Sequence, residues 1–257
     1  MRTVVITGSA SGIGRATAEL LRSRGDRVIG VDLHDADVVA DLASVDGRAA
    51  LVDGVRAASD GRIDAIVANA GLARQTPGDV AVNYFGSVAT LDGLRPLLDG
   101  STAPRAVATA SMASLMPSDG ELVDLCLAGD EPGALARADK LVQAEQGGLI
   151  YASSKVALCR WVRRTAAWPQ WAGQGIPLNA IGPGVVETPM VAGLIGTDVQ
   201  RAAVAAMVPM PLGGFMKPEV PARLLAWLVS EENTHLCGQV VFVDGGSDVV
   251  IRGDSTW

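Results

Sequence analysis

Histidine is nearly absent from this chain of 257 residues: His34 and His235 are its only two. A metal site built from several imidazoles is thereby excluded, and a Ser-His-Asp hydrolase would have to use one of that pair. Tyrosine is as rare, at Tyr84 and Tyr151, and lysine stops at Lys140, Lys155 and Lys217. The three cysteines, Cys126, Cys159 and Cys237, are odd in number, far apart and form no Cys-x-x-Cys. They read as reduced thiols rather than a disulfide framework. Positive charge is in deficit. Against 28 Asp and Glu stand 21 Lys and Arg, a net charge of −7. No basic field exists to draw in nucleic acid or an anionic membrane surface, so neither is expected as a partner. No apolar run reaches about 20 residues, which leaves no candidate for a spanning helix. Met1 leads straight into Val4-Val5-Ile6 without the regions of a signal peptide, so the expected location is the cytoplasm.

Apolar residues and glycine are plentiful. Hydrophobic residues make up 49% of the chain, and 30 residues are glycine. Short β-rich runs alternate with longer helical patterns. Strands are expected over 3–7, 27–32, 37–40, 63–69, 105–111, 176–181 and 239–243. Helices are expected over 14–24, 45–58, 79–98, 149–168 and 218–230. Such alternation implies βαβ units, a parallel sheet and right-handed crossovers, in one α/β domain over 1–257. Two segments break the alternation. Residues 112–148 are far longer than the usual connection of about 2–6 residues and read as two helices, over 120–128 and 131–146. Leu135, Ala138 and Val142 form the expected apolar stripe of the second. Residues 191–211, apolar and containing methionine, read as a mobile lid.

The first strand runs into Thr7-Gly8-Ser9-Ala10-Ser11-Gly12-Ile13-Gly14. Glycines here let backbone N–H groups approach a pyrophosphate at a helix N-terminus. The spacing is Gly-x-x-x-Gly-x-Gly, neither the Gly-x-Gly-x-x-Gly pattern nor a P-loop. Asp32 ends the second strand 18 residues after Gly14, the place for a carboxylate that binds ribose hydroxyls and repels a 2′-phosphate. With uncharged Leu33 beside it, NAD is preferred over NADP, although Arg15 is a nearby cation. Tyr151 and Lys155 are four apart in a helical stretch and so share a face. A phenol near pKa 10 is a poor base at neutral pH, and an adjacent ammonium stabilises its phenolate.

These residues, with Asn69-Ala70-Gly71, Asn83, Ser111, Pro183-Gly184-x-x-x-Thr188 and Val243-Asp244-Gly245-Gly246, fall in the order that resembles the short-chain dehydrogenase/reductase family over nearly the whole chain. The resemblance implies a Rossmann-like, doubly wound parallel sheet with helices on both faces. It implies Tyr151 as proton donor and acceptor and Lys155 as its modulator and ribose contact. Ser111 would polarise a carbonyl, with Ser114 as its rival, and Asn83 would hold a water next to Lys155. Cofactor contacts implied are Gly8, Ser11, Gly12, Ile13, Gly14, Asp32, Leu33, Asp41, Leu42, Asn69, Ala70, Gly71, Tyr151, Lys155, Pro183, Gly184, Val186 and Thr188. The role of the bound NAD would be to exchange hydride with the substrate carbon.

One departure is large: Ser111 and Tyr151 are 40 residues apart, where about a dozen is usual, and the insertion at about 112–148 fills the gap. With Asp37-Val-Val-Ala-Asp41-Leu42 and Val82-Asn83-Tyr84-Phe85-Gly86, this pattern resembles the bacterial 3α-hydroxysteroid dehydrogenase/carbonyl reductase branch. An insertion entering the Tyr151 helix would block a common subunit face, so a homodimer on another face is expected. The expected substrate pocket is apolar, built from Met112, Leu115, Glu187, Met190, Leu194 and Met207, together with Val185, Ile195 and Val208. It suits a hydrophobic alcohol or ketone: a steroid, a terpenoid or an aromatic ketone. The competing readings are an idle NAD-binding sensor, which has no chemical need of all four catalytic residues, and a serine hydrolase, which lacks Gly-x-Ser-x-Gly.

Overall fold

The computed structural model describes residues 1–255. Seven strands lie at its centre: β1 (Thr3–Thr7), β2 (Arg27–Asp32), β3 (Val38–Val39), β4 (Ala65–Ala68), β5 (Arg105–Thr109), β6 (Leu178–Pro183) and β7 (Val240–Val243). They form one sheet in the order β3-β2-β1-β4-β5-β6-β7, and each pairing is parallel. Parallel strands need crossovers, and helices supply them on both faces. The helices are α1 (Gly12–Ser23), α2 (Val45–Ala58), α3 (Pro77–Val80), α4 (Ser87–Leu94), α5 (Gly120–Ala128), α6 (Glu131–Gln143), α7 (Gly148–Thr165), α8 (Asp198–Met207), α9 (Glu219–Leu228) and α10 (Ser247–Arg252). Among the described residues no helix is long and apolar enough to cross a membrane.

Strand side chains alternate between two cores. Val4 and Ile6 of β1 pack with Ala18 and Leu21 of α1 and Leu225 of α9, while Val5 faces Leu51, Val55, Leu91 and Leu158 on the other side. The strand order reverses direction between β1 and β4. A crevice opens there at the carboxyl ends of the strands, where doubly wound sheets place their ligands.

Two expectations need correction. The single helix over 79–98 starts at Pro77 and contains a π-turn over Ala81–Gly86, then α4, then a 3₁₀ turn over Arg95–Leu98. The insertion does form two helices, but α6 buries Ala134, Ala138 and Leu141 and leaves Val142 exposed, with Leu135 only part-covered. Its buried face is turned by about one residue from the expected stripe, toward Ala134, Ala138 and Leu141. Asp119 and Asp130 cap α5 and α6 by accepting the N–H of Leu122 and Gly133. α5 packs along α7, and α6 lies on α5 and α3.

Candidate active site

The turn after β1 is shaped by positive φ at Gly8 (+69°) and Gly12 (+52°). Gly14 differs. A Cβ there would stand 2.0 Å from the carbonyl oxygen of Gly8, so this glycine permits close packing of α1 on the turn, and it lines neither cleft cavity. Asp32 is tied into the same turn. One of its carboxylate oxygens accepts the N–H of Ala10 at 2.9 Å and the other that of Leu33 at 2.7 Å. At the ends of β1, β4 and β5, Thr7 Oγ1 accepts the N–H groups of Asn69 and Ala70, both at 3.0 Å. Thr109 Oγ1 donates to Asn69 Oδ1 at 3.1 Å. The ends of β1, β4 and β5 are thereby tied together.

Two cavities share this crevice. The first, of about 170 Å³, is lined by Gly8, Ser11, Gly12, Ile13, Asn69, Ala70, Gly71, Ser111, Tyr151, Lys155, Pro183, Gly184, Val186 and Thr188, together with Thr109, Ala110, Pro189, Met190 and Val191. The second, of about 430 Å³, continues past Asp32, Leu33, Asp41 and Leu42 to Arg74, Thr76, Gly78 and Val82. The turn and strand ends leave a continuous trough of backbone and small side chains, the shape that an extended dinucleotide requires.

Ser111 follows β5 and reaches the cleft, whereas the Ser114 hydroxyl turns back to donate to the Ser111 carbonyl at 2.8 Å. Tyr151 stands in the first turn of α7, half-buried. Lys155, one turn on and 3% exposed, donates from Nζ to the Thr109 carbonyl oxygen at 2.9 Å and sits 5.7 Å from the centre of the Tyr151 ring. Burial pushes the Tyr151 phenol above its ordinary pKa, the Ser111 hydroxyl works against that rise, and the charge of Asp79 adds to it. Burial also lowers Lys155 to about 8. In the free chain burial, not the neighbouring lysine, sets the direction for the phenol.

Asn83 lies in the π-turn with its side chain fully engaged. Oδ1 accepts the Leu72 N–H at 2.7 Å, and Nδ2 donates to the Leu72 carbonyl at 2.9 Å and to Ser154 Oγ at 3.2 Å. The side chain fixes the segment after Gly71. Asp79, which sequence reasoning passed over, is fully buried and accepts both the Arg74 and Gln75 N–H groups. It pins the next turn, where Gln75 is held at φ +59°. Only its place one helical turn before Asn83 could have marked it.

Residues 8–248 match the family model described as enoyl-(acyl carrier protein) reductase. The 3-alpha-hydroxysteroid dehydrogenase/carbonyl reductase of Comamonas testosteroni is 38% identical over 98% of this chain and 98% of its own length. The chain belongs to the short-chain dehydrogenase/reductase family. The cis-4-hydroxycyclohexanecarboxylate dehydrogenase of Sinomonas cyclohexanicum is 33% identical over 97% of both chains. A crystal structure of the 3-alpha-hydroxysteroid dehydrogenase from Pseudomonas sp. B-0831, complexed with NADH, superposes with a TM-score of 0.90 at 39% identity. It covers 98% of this chain and 99% of that one.

As a family member the chain is a dehydrogenase/reductase that uses NAD(P). The structure groups the substrate candidates differently from the sequence. Met190 lines the cleft; Met112 is buried outside its lining, Leu115 is half-buried outside it, and Leu194 and Met207 are exposed. Glu187 is drawn off by two cations, Arg201 and Lys217. Leu194 and Met207 fall outside the lining because 188–208 forms a 3₁₀ turn (Pro189–Leu194) and α8, with no residue of either fully buried.

Proposed function

We propose that this short-chain dehydrogenase/reductase interconverts a hydrophobic secondary alcohol and its ketone, with NAD preferred over NADP. The observation that carries the reading is the convergence of Ser111, Tyr151 and Lys155 on one cleft beside Gly184 and Thr188. Bound NAD(H) supplies or takes the hydride. The chain's part is to hold the carbonyl oxygen between the Ser111 and Tyr151 hydroxyls and to move a proton at Tyr151 Oη. Ser111 Oγ is oriented for this by the Ala113 N–H, which it accepts at 3.1 Å. Lys155, fixed on the Thr109 carbonyl, would hold the nicotinamide ribose, and Val186 and Thr188 would hold the carboxamide. Asp32 and Asp41, in the second cavity, supply carboxylates for the adenosine half, and that negative charge disfavours a 2′-phosphate.

Two relatives act on ring alcohols by name, a hydroxysteroid and a hydroxycyclohexanecarboxylate. A cyclic secondary alcohol or ketone is accordingly the substrate class favoured here, with a 3α-hydroxysteroid first and a terpenoid or aromatic ketone next. The test is absorbance of the NADH band against a panel of cyclic and acyclic secondary alcohols and ketones. Turnover is expected with at least one cyclic substrate. Tyr151→Phe removes that turnover by at least about a hundredfold and leaves NADH binding, read by fluorescence, nearly unchanged. A Tyr151→Phe enzyme as fast as its parent overturns the mechanism.

A further inference from the structure

Glu187 stands between Val186 and Thr188, both on the cleft wall, yet does not line the cleft itself. Its carboxylate accepts from Arg201 Nη2 at 2.7 Å and from Lys217 Nζ. Arg201 is on α8, and its guanidinium lies 5.0 Å from the centre of the Phe215 ring. Lys217 follows Met216, whose backbone already bridges Val185 and Glu187: Met216 N–H donates to the Val185 carbonyl, and Glu187 N–H donates to the Met216 carbonyl. One carboxylate thus joins three pieces of chain, the strand end that carries Thr188, the 215–217 segment and α8.

Little else holds α8. It buries no residue fully, and its packing rests on Val204, part-covered against the small cluster of Val185, Val186, Ile195, Met210 and Met216. Met190, Leu194, Val199 and Met207 of the same stretch are exposed. At its far end Gly213 and Gly214 both adopt positive φ. A single exposed ion pair contributes little. Here the carboxylate is only 21% exposed and serves two cations, one of them stacked on an aromatic ring.

We propose that Glu187 is a positioning residue: by holding Arg201 and Lys217 it latches α8, and so seats the 189–191 wall of the cleft against an apolar substrate. The substrate half of this statement rests on the oxidoreductase reading of the cleft; the latch itself does not. The test is amide hydrogen exchange over residues 198–207 in the full chain, for the parent, Glu187→Gln, Arg201→Gln and the double variant, at low and high salt. Exchange in Glu187→Gln is expected to be roughly fivefold or more faster than in the parent at low salt. The parent is expected to approach the variant in 1 M salt. Arg201→Gln, which leaves the Lys217 pair, is expected to give the smaller effect, and the double variant less than the sum of the two, since both substitutions remove the same Glu187–Arg201 pair. Glu187→Asp, which keeps the charge, recovers part of the protection. In the same variants KM for the ketone rises roughly three- to tenfold with a smaller change in kcat. Unchanged exchange in Glu187→Gln, or additive effects of the two substitutions, overturns the latch. Should Glu187→Gln fail to fold, Arg201→Gln and the salt series on the parent decide by the same criteria. Because exchange needs no substrate, a protein that reduces nothing in the panel still tests the latch. A protein that turns over normally with an unprotected α8 removes the latch alone.

Discussion

At the scale of single residues, the pair Tyr151 and Lys155 was visible from spacing alone, but its electrostatics were not. Burial raises the phenol and lowers Lys155 to about 8. The sign follows: Tyr151 is protonated at neutral pH, ready to donate to a ketone oxygen, whereas alcohol oxidation needs it deprotonated. Oxidation is expected to rise with pH through the alkaline range. Reduction is expected to be level below about pH 8 and to fall above it as Lys155 loses its charge. Profiles of kcat/KM in the two directions check this, and a reduction rate that climbs above pH 9 contradicts it. The place of Asp32 at the end of β2 was legible, but its bonds to the Ala10 and Leu33 N–H groups were not, because they depend on how the turn lies over the strand end. Asp32→Asn is therefore the cleaner probe than Asp32→Ala. It keeps an acceptor for the turn, and fluorescence titration should show the proposed preference for NADH over NADPH narrowing by about tenfold or more, worth about 1.4 kcal/mol.

At the scale of elements, β1, β2, α2 and α5 have the bounds that their sequences announce, because apolar runs and capping residues mark both ends. The π-turn over Ala81–Gly86 carries no such mark. Its extra residue is accommodated by the Asn83 side chain gripping Leu72, eleven residues back, a contact that periodicity cannot register. The catalytic side of the cleft was legible for a related reason, since strand ends and glycines place it. The substrate side was not, since it depends on how 188–208 packs. The insertion shows the same contrast: two helices were readable, their attachment was not. Arg48 of α2 holds Glu131 of α6 through two bonds of 2.7 and 2.9 Å, and Arg137 holds Asp119 at 3.0 and 2.6 Å. Arg48→Ala, which strips a part-buried carboxylate of its partner, is expected to cost about 1–3 kcal/mol of stability. Denaturant unfolding measures that loss.

At the scale of the whole molecule, α5 lies along α7, so the outer face of the catalytic helix is covered by the chain's own insertion. A second copy must dock elsewhere, and the proposed assembly is a homodimer. Light scattering is expected to give twice the 26.4 kDa of one chain. A tetramer that survives dilution contradicts it.

The attachment of the insertion has one more consequence. α5 is fastened at its start, where the Asp119 N–H donates to Ser153 Oγ two residues beyond Tyr151, and α6 by its own pair to α2. The joint between them, Gly129-Asp130, turns through a left-handed glycine whose added Cβ would meet nothing within 4 Å. In engineering terms this joint is a port. New termini or a fused reporter domain can be spliced in there while each helix keeps its own anchor, and whatever is attached stands at the other end of the helix that is fastened beside Tyr151.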